Sequence, residues 1–113
     1  MFQRLFRRSG AETPPRRERH ARAEVTERYL REFTREHRGV EMWVEPPTKW
    51  ARPSVLLVAH DGEWTRRTVD SVKAANQLAK ELGVARFDAG IVAYPERMRT
   101  YNARIKREQK DRR

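Results

Sequence analysis

The stretch SVLLVAHDGEWTRRTV, residues 54 to 69, decides the fold. Its first half is apolar on both faces, which is typical of a strand in the middle of a sheet. Asp61 and Gly62 follow directly, and this dipeptide favours a two-residue turn because both residue types tolerate positive φ. The stretch therefore predicts a β-hairpin. A two-residue turn at this place sets three cross-strand pairs: Ala59 with Trp64, Leu57 with Arg66, and His60 with Glu63.

The elements on either side of the hairpin follow from the spacing of apolar residues and from the positions of proline and glycine. Before the hairpin, we expect a helix from about Arg16 to Arg38, a strand over residues 40 to 45 and an irregular loop over 46 to 53. After it, we expect a helix that is capped by Asp70 or Ser71 and ends at Gly83. A strand over 84 to 94 and a helix that begins at Pro95 follow.

This order of helix, three strands, helix, strand and helix predicts an α+β fold, with a small, mainly antiparallel sheet and the helices packed on one face. We expect a single domain over residues 16 to 105. Residues 1 to 15 end in SGAETPP, a run of turn formers, and are expected to form a flexible basic arm. No apolar residue follows Ile105, so residues 106 to 113 are expected to form a disordered basic tail.

Composition narrows the classes of function. A chain of 113 residues buries one modest core. There is no cysteine, which excludes disulfides, thiol catalysis and cysteine-ligated metal centres. The longest apolar run is much shorter than the roughly 18 residues of a membrane span. The opening MFQRLFRR is too short to bind a membrane strongly by itself. We therefore expect a cytoplasmic protein with no cofactor and no membrane contact.

The net charge of +10 lies at the two ends of the chain. Residues 1 to 40 hold eleven arginines and six glutamates, residues 41 to 94 hold seven basic and seven acidic residues, and residues 95 to 113 hold eight basic and three acidic residues. A neutral middle between basic ends suits attachment to a polyanion, because arginine and lysine release counterions when they contact phosphates. The alternative is that the charged ends only keep the protein in solution.

These observations favour a non-catalytic nucleic-acid-binding accessory protein that contacts the phosphates of RNA or DNA. Aromatic stacking beside arginine adds a second type of contact, from Trp64 and Arg66 on the exposed side of the hairpin. The expected phosphate contacts are Arg7, Arg8, Arg16, Arg17, Arg97, Arg99, Arg104, Lys106, Arg107 and Lys110.

Two other functions are compatible with the sequence. A protein-interaction adaptor would use an apolar surface that contains Trp43, Trp50 and Trp64. A magnesium-dependent nuclease would need an aspartate and a Glu-x-Lys motif on neighbouring strands. Asp61 and Glu63 have the required carboxylates, but Thr65 stands where the lysine is needed, so we expect neither an enzyme nor a metal site.

Three resemblances extend this interpretation. The order of elements resembles restriction-endonuclease-like nucleases. Its first five elements resemble the double-stranded-RNA-binding domain, but the second helix begins with a single lysine, Lys73, where that family has a basic cluster. The blocks AHDGEWTRR, residues 59 to 67, and YPERMRTYNAR, residues 94 to 104, resemble a group of small uncharacterised proteins from GC-rich bacteria. That resemblance implies a compact bacterial domain and carries no activity.

Overall fold

Among the described residues, seven elements follow one another in the order that the sequence predicts. The structure, a computed structural model, describes residues 15 to 112. The elements are helix α1 (Arg16–Glu36), strands β1 (Glu41–Glu45), β2 (Ser54–Val58) and β3 (Trp64–Thr68), helix α2 (Val72–Leu82), strand β4 (Arg86–Asp88) and helix α3 (Glu96–Asp111). The predicted α+β fold class and the predicted order of elements are confirmed.

The four strands form one sheet in the order β3-β2-β1-β4. β2 pairs antiparallel with both β1 and β3, whereas β4 pairs parallel with β1. The sheet is therefore mainly antiparallel, as predicted. β2 and β1 occupy the centre because both are apolar on each face, and a central strand must bury both of its faces.

The hairpin is confirmed, but its predicted register is wrong by one residue. Its loop has three residues rather than two, since the Gly62 amide donates to the Ala59 carbonyl at 3.0 Å and the Ala59 amide donates to the Glu63 carbonyl at 2.8 Å. Gly62 has a φ of 93°, which a three-residue loop requires of its last residue. The observed pairs are Val58 with Trp64, Leu57 with Thr65, and Leu56 with Arg66.

This shift decides which way the side chains of β3 point, because neighbouring residues of a strand face opposite sides of the sheet. Thr65 points towards α1, is buried, and shares a hydrogen bond of 2.9 Å with the Tyr29 hydroxyl. Trp64 and Arg66 therefore point to the other face.

The first face of the sheet carries α1 and α2. Leu30 and Phe33 of α1 and Leu78 of α2 are buried against it. α2 begins where the sequence predicts, because the Ser71 hydroxyl accepts a hydrogen bond from the Ala74 amide, and it ends at Gly83 in the left-handed conformation. The strand side chains buried on this face are Met42, Val44, Val55, Leu57 and Ala59.

The second face carries α3, so the expectation that all helices share one face is wrong for this helix. Trp43, Leu56 and Val58 are buried on the second face. Apolar side chains of this size need a cover, and Met98 of α3 contributes to it together with Trp64, Phe87, Ala89 and Tyr94.

Two further boundaries differ from prediction. β4 has only three residues rather than residues 84 to 94, because Gly90 turns the chain with a φ of 91° and Ile91 is 81% exposed.

In contrast, residues 106 to 111, expected as a disordered tail, continue α3. Lysine, arginine, glutamate and glutamine favour the helix without a buried face, and Glu108 lies one turn after Arg104.

His37 closes the end of α1 with both of its ring nitrogens. Nδ1 lies 2.7 Å from the carbonyl oxygen of Phe33, and Nε2 lies 3.0 Å from a carboxylate oxygen of Glu63. Both partners are acceptors, and only the protonated ring donates from both nitrogens. Burial lowers the pKa of His37. The hydrogen bond to the Phe33 carbonyl and the interaction with the Glu63 carboxylate together raise it by more, so the pKa lies above 6.5.

We expect the contribution of His37 to stability to depend on pH. Because the folded-state pKa is raised, the contribution is complete below the unfolded value and is lost as the pH rises through the folded value. Urea unfolding of the wild type and of His37→Gln at about pH 5 and about pH 9 checks this. The substitution should cost more unfolding free energy at the lower pH, and an equal cost at both would contradict it.

Among the four glycines that the structure describes, Gly62 is expected to tolerate substitution least. A Cβ there would lie 2.0 Å from the Arg97 carbonyl oxygen, whereas a Cβ on Gly83 would meet nothing within 4 Å. Both glycines have positive φ, so Gly83→Ala is the matched control for backbone strain. In denaturant unfolding, Gly62→Ala should cost about 3 kcal/mol or more and Gly83→Ala about 1 kcal/mol. Equal losses of unfolding free energy in the two variants would show that α3 does not pack closely against Gly62.

Candidate nucleic-acid interface

The exposed face of α3 carries a row of cations, which we call the α3 stripe: Arg99, Lys106, Arg107 and Lys110. The last three follow Arg99 by seven, eight and eleven residues, which is two and three turns of a helix. Met98, Tyr101 and Ile105 occupy the opposite, half-buried face. From Arg99 to Lys110 the stripe is about 16 Å long, and no carboxylate lies on it between these ends.

The cations of the stripe are available to a ligand. None of the four forms an ion pair within residues 15 to 112. The sheet and its loops differ, because Arg52 pairs with Asp70 at 3.2 Å and Arg86 pairs with Asp88 at 2.8 Å. Within the described residues, α3 therefore carries four cations without an ion pair on one exposed face, whereas Arg52, Arg66 and Arg86 of the sheet and its loops are paired with carboxylates.

A second group of cations lies at the beginning of α1 and is called the α1 start: Arg16, Arg17, Arg19 and Arg22. All four are exposed, and none forms an ion pair in the described part of the chain. Glu18 is the one carboxylate between Arg16 and Arg22. Sequence reasoning named Arg16 and Arg17 and missed Arg19 and Arg22. Their position in the same two turns was the signal that could have found them. Arg7 and Arg8 lie outside the described residues.

Trp64 and Arg66 are engaged within the fold rather than free. The Trp64 indole donates to the Asn102 side chain of α3 at 2.7 Å. Arg66 and the Tyr94 hydroxyl both donate to the same carboxylate oxygen of Glu45, each at 2.5 Å. Burial raises the pKa of Glu45, but these two bonds outweigh it and hold the pKa below its ordinary value. The predicted open sheet face is therefore wrong at Trp64, which α3 contacts, whereas Arg66 stays 55% exposed and is paired with Glu45.

Arg97 is a structural residue, in contrast to the predicted phosphate contact. Its Nε donates to the Ala59 carbonyl at 2.9 Å, and its terminal nitrogen donates to the Glu41 carboxylate at 2.6 Å. It thereby ties the first turn of α3 to the central strands. Arg104 is partly engaged, because its guanidinium lies 5.3 Å from the Tyr101 ring centre and 4.0 Å from Glu108.

The three tryptophans do not share a surface. Trp43 is 3% exposed and donates to the Val92 carbonyl, so its place in a predicted docking surface is wrong. Trp50 is 87% exposed. The loop that displays it is held by Thr48, whose hydroxyl accepts hydrogen bonds from the amides of Trp50 and Ala51 at 3.1 and 3.0 Å.

Asp61 and Glu63, the carboxylates considered for a nuclease site, form contacts that stabilise the hairpin and its junction with α1. Asp61 accepts a hydrogen bond from the Glu63 amide at 3.0 Å, and Glu63 pairs with His37. Thr65, in the position of the missing lysine, is bonded to Tyr29. In the described part of the chain, no group of three or more histidine, cysteine, aspartate or glutamate side chains is placed to hold a metal ion.

No family model matches the chain, and neither does any curated protein or solved structure. Among residues 15 to 112, no helix is long and apolar enough to cross a membrane.

Two arginines only two residues apart are expected to have opposite roles. Arg97→Gln should lower the unfolding free energy by about 2 kcal/mol, because it removes the charged hydrogen bonds to the Ala59 carbonyl and to the Glu41 carboxylate. Arg99→Gln should change it by less than about 0.5 kcal/mol, because Arg99 is exposed. Urea unfolding of both variants compares them directly. A loss at Arg99 as large as that at Arg97 would contradict the assignment.

Proposed function

We propose that this protein is a non-catalytic nucleic-acid-binding accessory protein that contacts phosphates through the α3 stripe and the α1 start. It acts on RNA or DNA, which present the same phosphate chemistry. We place this activity in the cytoplasm.

The observation that carries the proposal is the α3 stripe. Four cations lie within about three helical turns on one exposed face, whereas Arg52, Arg66 and Arg86 of the sheet and its loops pair with carboxylates. Each cation that contacts a phosphate releases condensed counterions, which is the main source of sequence-independent affinity.

The geometry favours duplexes over single strands. Binders of single strands stack bases on exposed aromatic side chains beside their cations. No phenylalanine, tyrosine or tryptophan side chain of the described residues lies on the exposed face of the α3 stripe or in the α1 start. Trp43 is buried, Trp64 is hydrogen-bonded to Asn102, and the exposed Trp50 beside Lys49 lies in the loop after β1. The cations of the stripe are lysine and arginine, and contacts from these to phosphates position a protein on a duplex without reading its sequence. The proposed binding is accordingly indifferent to base sequence.

Neutralising the stripe should weaken binding and reduce its salt dependence. The test variant carries Arg99→Gln, Lys106→Gln, Arg107→Gln and Lys110→Gln. Test and control substitutions are made in a background in which Arg16, Arg17, Arg19 and Arg22 are glutamine, so that the α1 start does not bind. Relative to that background, the expected loss of affinity for a random-sequence duplex is about 100-fold or more at about 0.1 M salt. The slope of log affinity against log salt should fall by about 3 to 4, because each phosphate contact contributes about 0.9. Fluorescence polarisation at several salt concentrations measures both quantities.

A control variant removes the same number of charges elsewhere on the surface. It carries Arg38→Gln, Lys49→Gln, Lys73→Gln and Lys80→Gln, all at exposed positions. Net charge is then equal in the two variants, so a general effect of charge would weaken both alike. That outcome, or wild-type protein that binds neither RNA nor DNA at low salt, would overturn the proposed function.

A protein-interaction adaptor is the second candidate, and the exposure of Trp50 favours it. A large aromatic side chain displayed on a loop with prolines at both ends is a typical anchor for a protein partner. The two functions differ in their response to salt. Docking through Trp50 would change little with ionic strength, whereas phosphate binding weakens steeply.

A further inference from the structure

The α1 start lies beyond one end of the β2–β3 hairpin. Val25 and Thr26 of α1 line the same groove of about 500 Å³ as Thr68 and Val69, which end β3. The C-terminal end of α1 lies at the other end of the hairpin, where His37 meets Glu63. The helix therefore runs along the hairpin and carries its first residues past the end that is remote from the turn.

α3 leaves the body at the end of the hairpin that contains the turn. Arg97 is bonded to the Ala59 carbonyl, and Gly62 lies against both Arg97 and Tyr101. The next residue, Asn102, is hydrogen-bonded to Trp64 at the start of β3. The residues after Ile105 follow these contacts and carry most of the α3 stripe away from the turn.

The two basic surfaces are consequently far apart. From Tyr29, which is bonded to β3, α1 extends about 20 Å to Arg16, and from Tyr101 α3 extends about 16 Å to Arg112. The longest dimension of the molecule is 51 Å. The helices also lie on opposite faces of the sheet. Between them, residues 41 to 94 carry equal numbers of basic and acidic residues.

We propose that the protein bridges two nucleic-acid segments, one held by the α3 stripe and the other by the α1 start. The inference rests on the proposed function, since both surfaces must bind phosphates. A duplex is stiff over about 150 base pairs, so a short one does not wrap around the body to reach both surfaces. Two separate segments satisfy both surfaces without bending.

Bridging is tested by capture of a second duplex. A duplex of about 20 base pairs, longer than the α3 stripe, is immobilised on beads, and a fluorescent duplex of the same length is added with the full-length protein at low salt. The wild type should retain the fluorescent duplex. A large excess of free duplex should abolish retention, because each surface is then occupied separately.

Two variants of the wild-type chain separate the surfaces. One neutralises the α3 stripe alone, and the other carries Arg16→Gln, Arg17→Gln, Arg19→Gln and Arg22→Gln. Each should still bind a single duplex through its remaining surface, with lower affinity, and should retain less than about a tenth of the second duplex. The variant with neutral residues at positions 38, 49, 73 and 80 should bridge like the wild type.

The outcomes distinguish this inference from the proposed function. If wild-type protein binds one duplex tightly but retains no second duplex, bridging is wrong and phosphate binding stands. If it binds no duplex, the proposed function itself fails. A mixture of the two variants identifies a third case. Restored retention by the mixture would mean that bridging arises from association between copies of the protein, which would also overturn the inference.

Discussion

The attachment of α3 to the hairpin turn is the constraint on which the rest of the structure depends. Helix α3 (Glu96–Asp111) lies wholly within the described residues and has no fully buried side chain. Packing alone therefore does not hold α3 in its position on the sheet. Arg97 supplies charged hydrogen bonds to Ala59 and Glu41, and Gly62 lets the helix backbone approach the turn closely. These contacts aim the last turns of α3, and therefore its cations, away from the sheet.

Charge pairing separates the structural cations from those that a ligand could use. An exposed ion pair contributes only about 0 to 1 kcal/mol to stability, so pairs such as Arg52 with Asp70 matter little for folding. Their larger effect is to neutralise the surface of the sheet and its loops. Residues 41 to 94 carry equal numbers of basic and acidic residues, so the net positive charge lies in the two ends of the chain.

The order of elements could be predicted because it follows from local patterns in the sequence. The hairpin register and the roles of individual arginines could not be predicted, because they depend on details of the loop and on contacts between distant residues. The apolar faces of β2 and the Ser71 cap are local and were predicted correctly. The register of the hairpin depends on one further residue in its loop, which Asp-Gly alone does not specify. The role of Arg97 depends on Glu41, which lies 56 residues earlier. No spacing rule separates Arg97 from Arg99, because only the fold gives one of them a partner.

The distance between the α1 start and the C-terminal end of α3 tests most directly whether the two basic surfaces lie at opposite ends of the molecule. The chain has no cysteine, so Glu18→Cys and Gln109→Cys introduce two exposed sites for spin labels without any other change. Pulsed electron paramagnetic resonance should then give a single distribution of distances above about 30 Å, because both helices extend from opposite ends of the hairpin. A distribution below about 20 Å, as expected for helix ends lying side by side, would contradict the opposed arrangement.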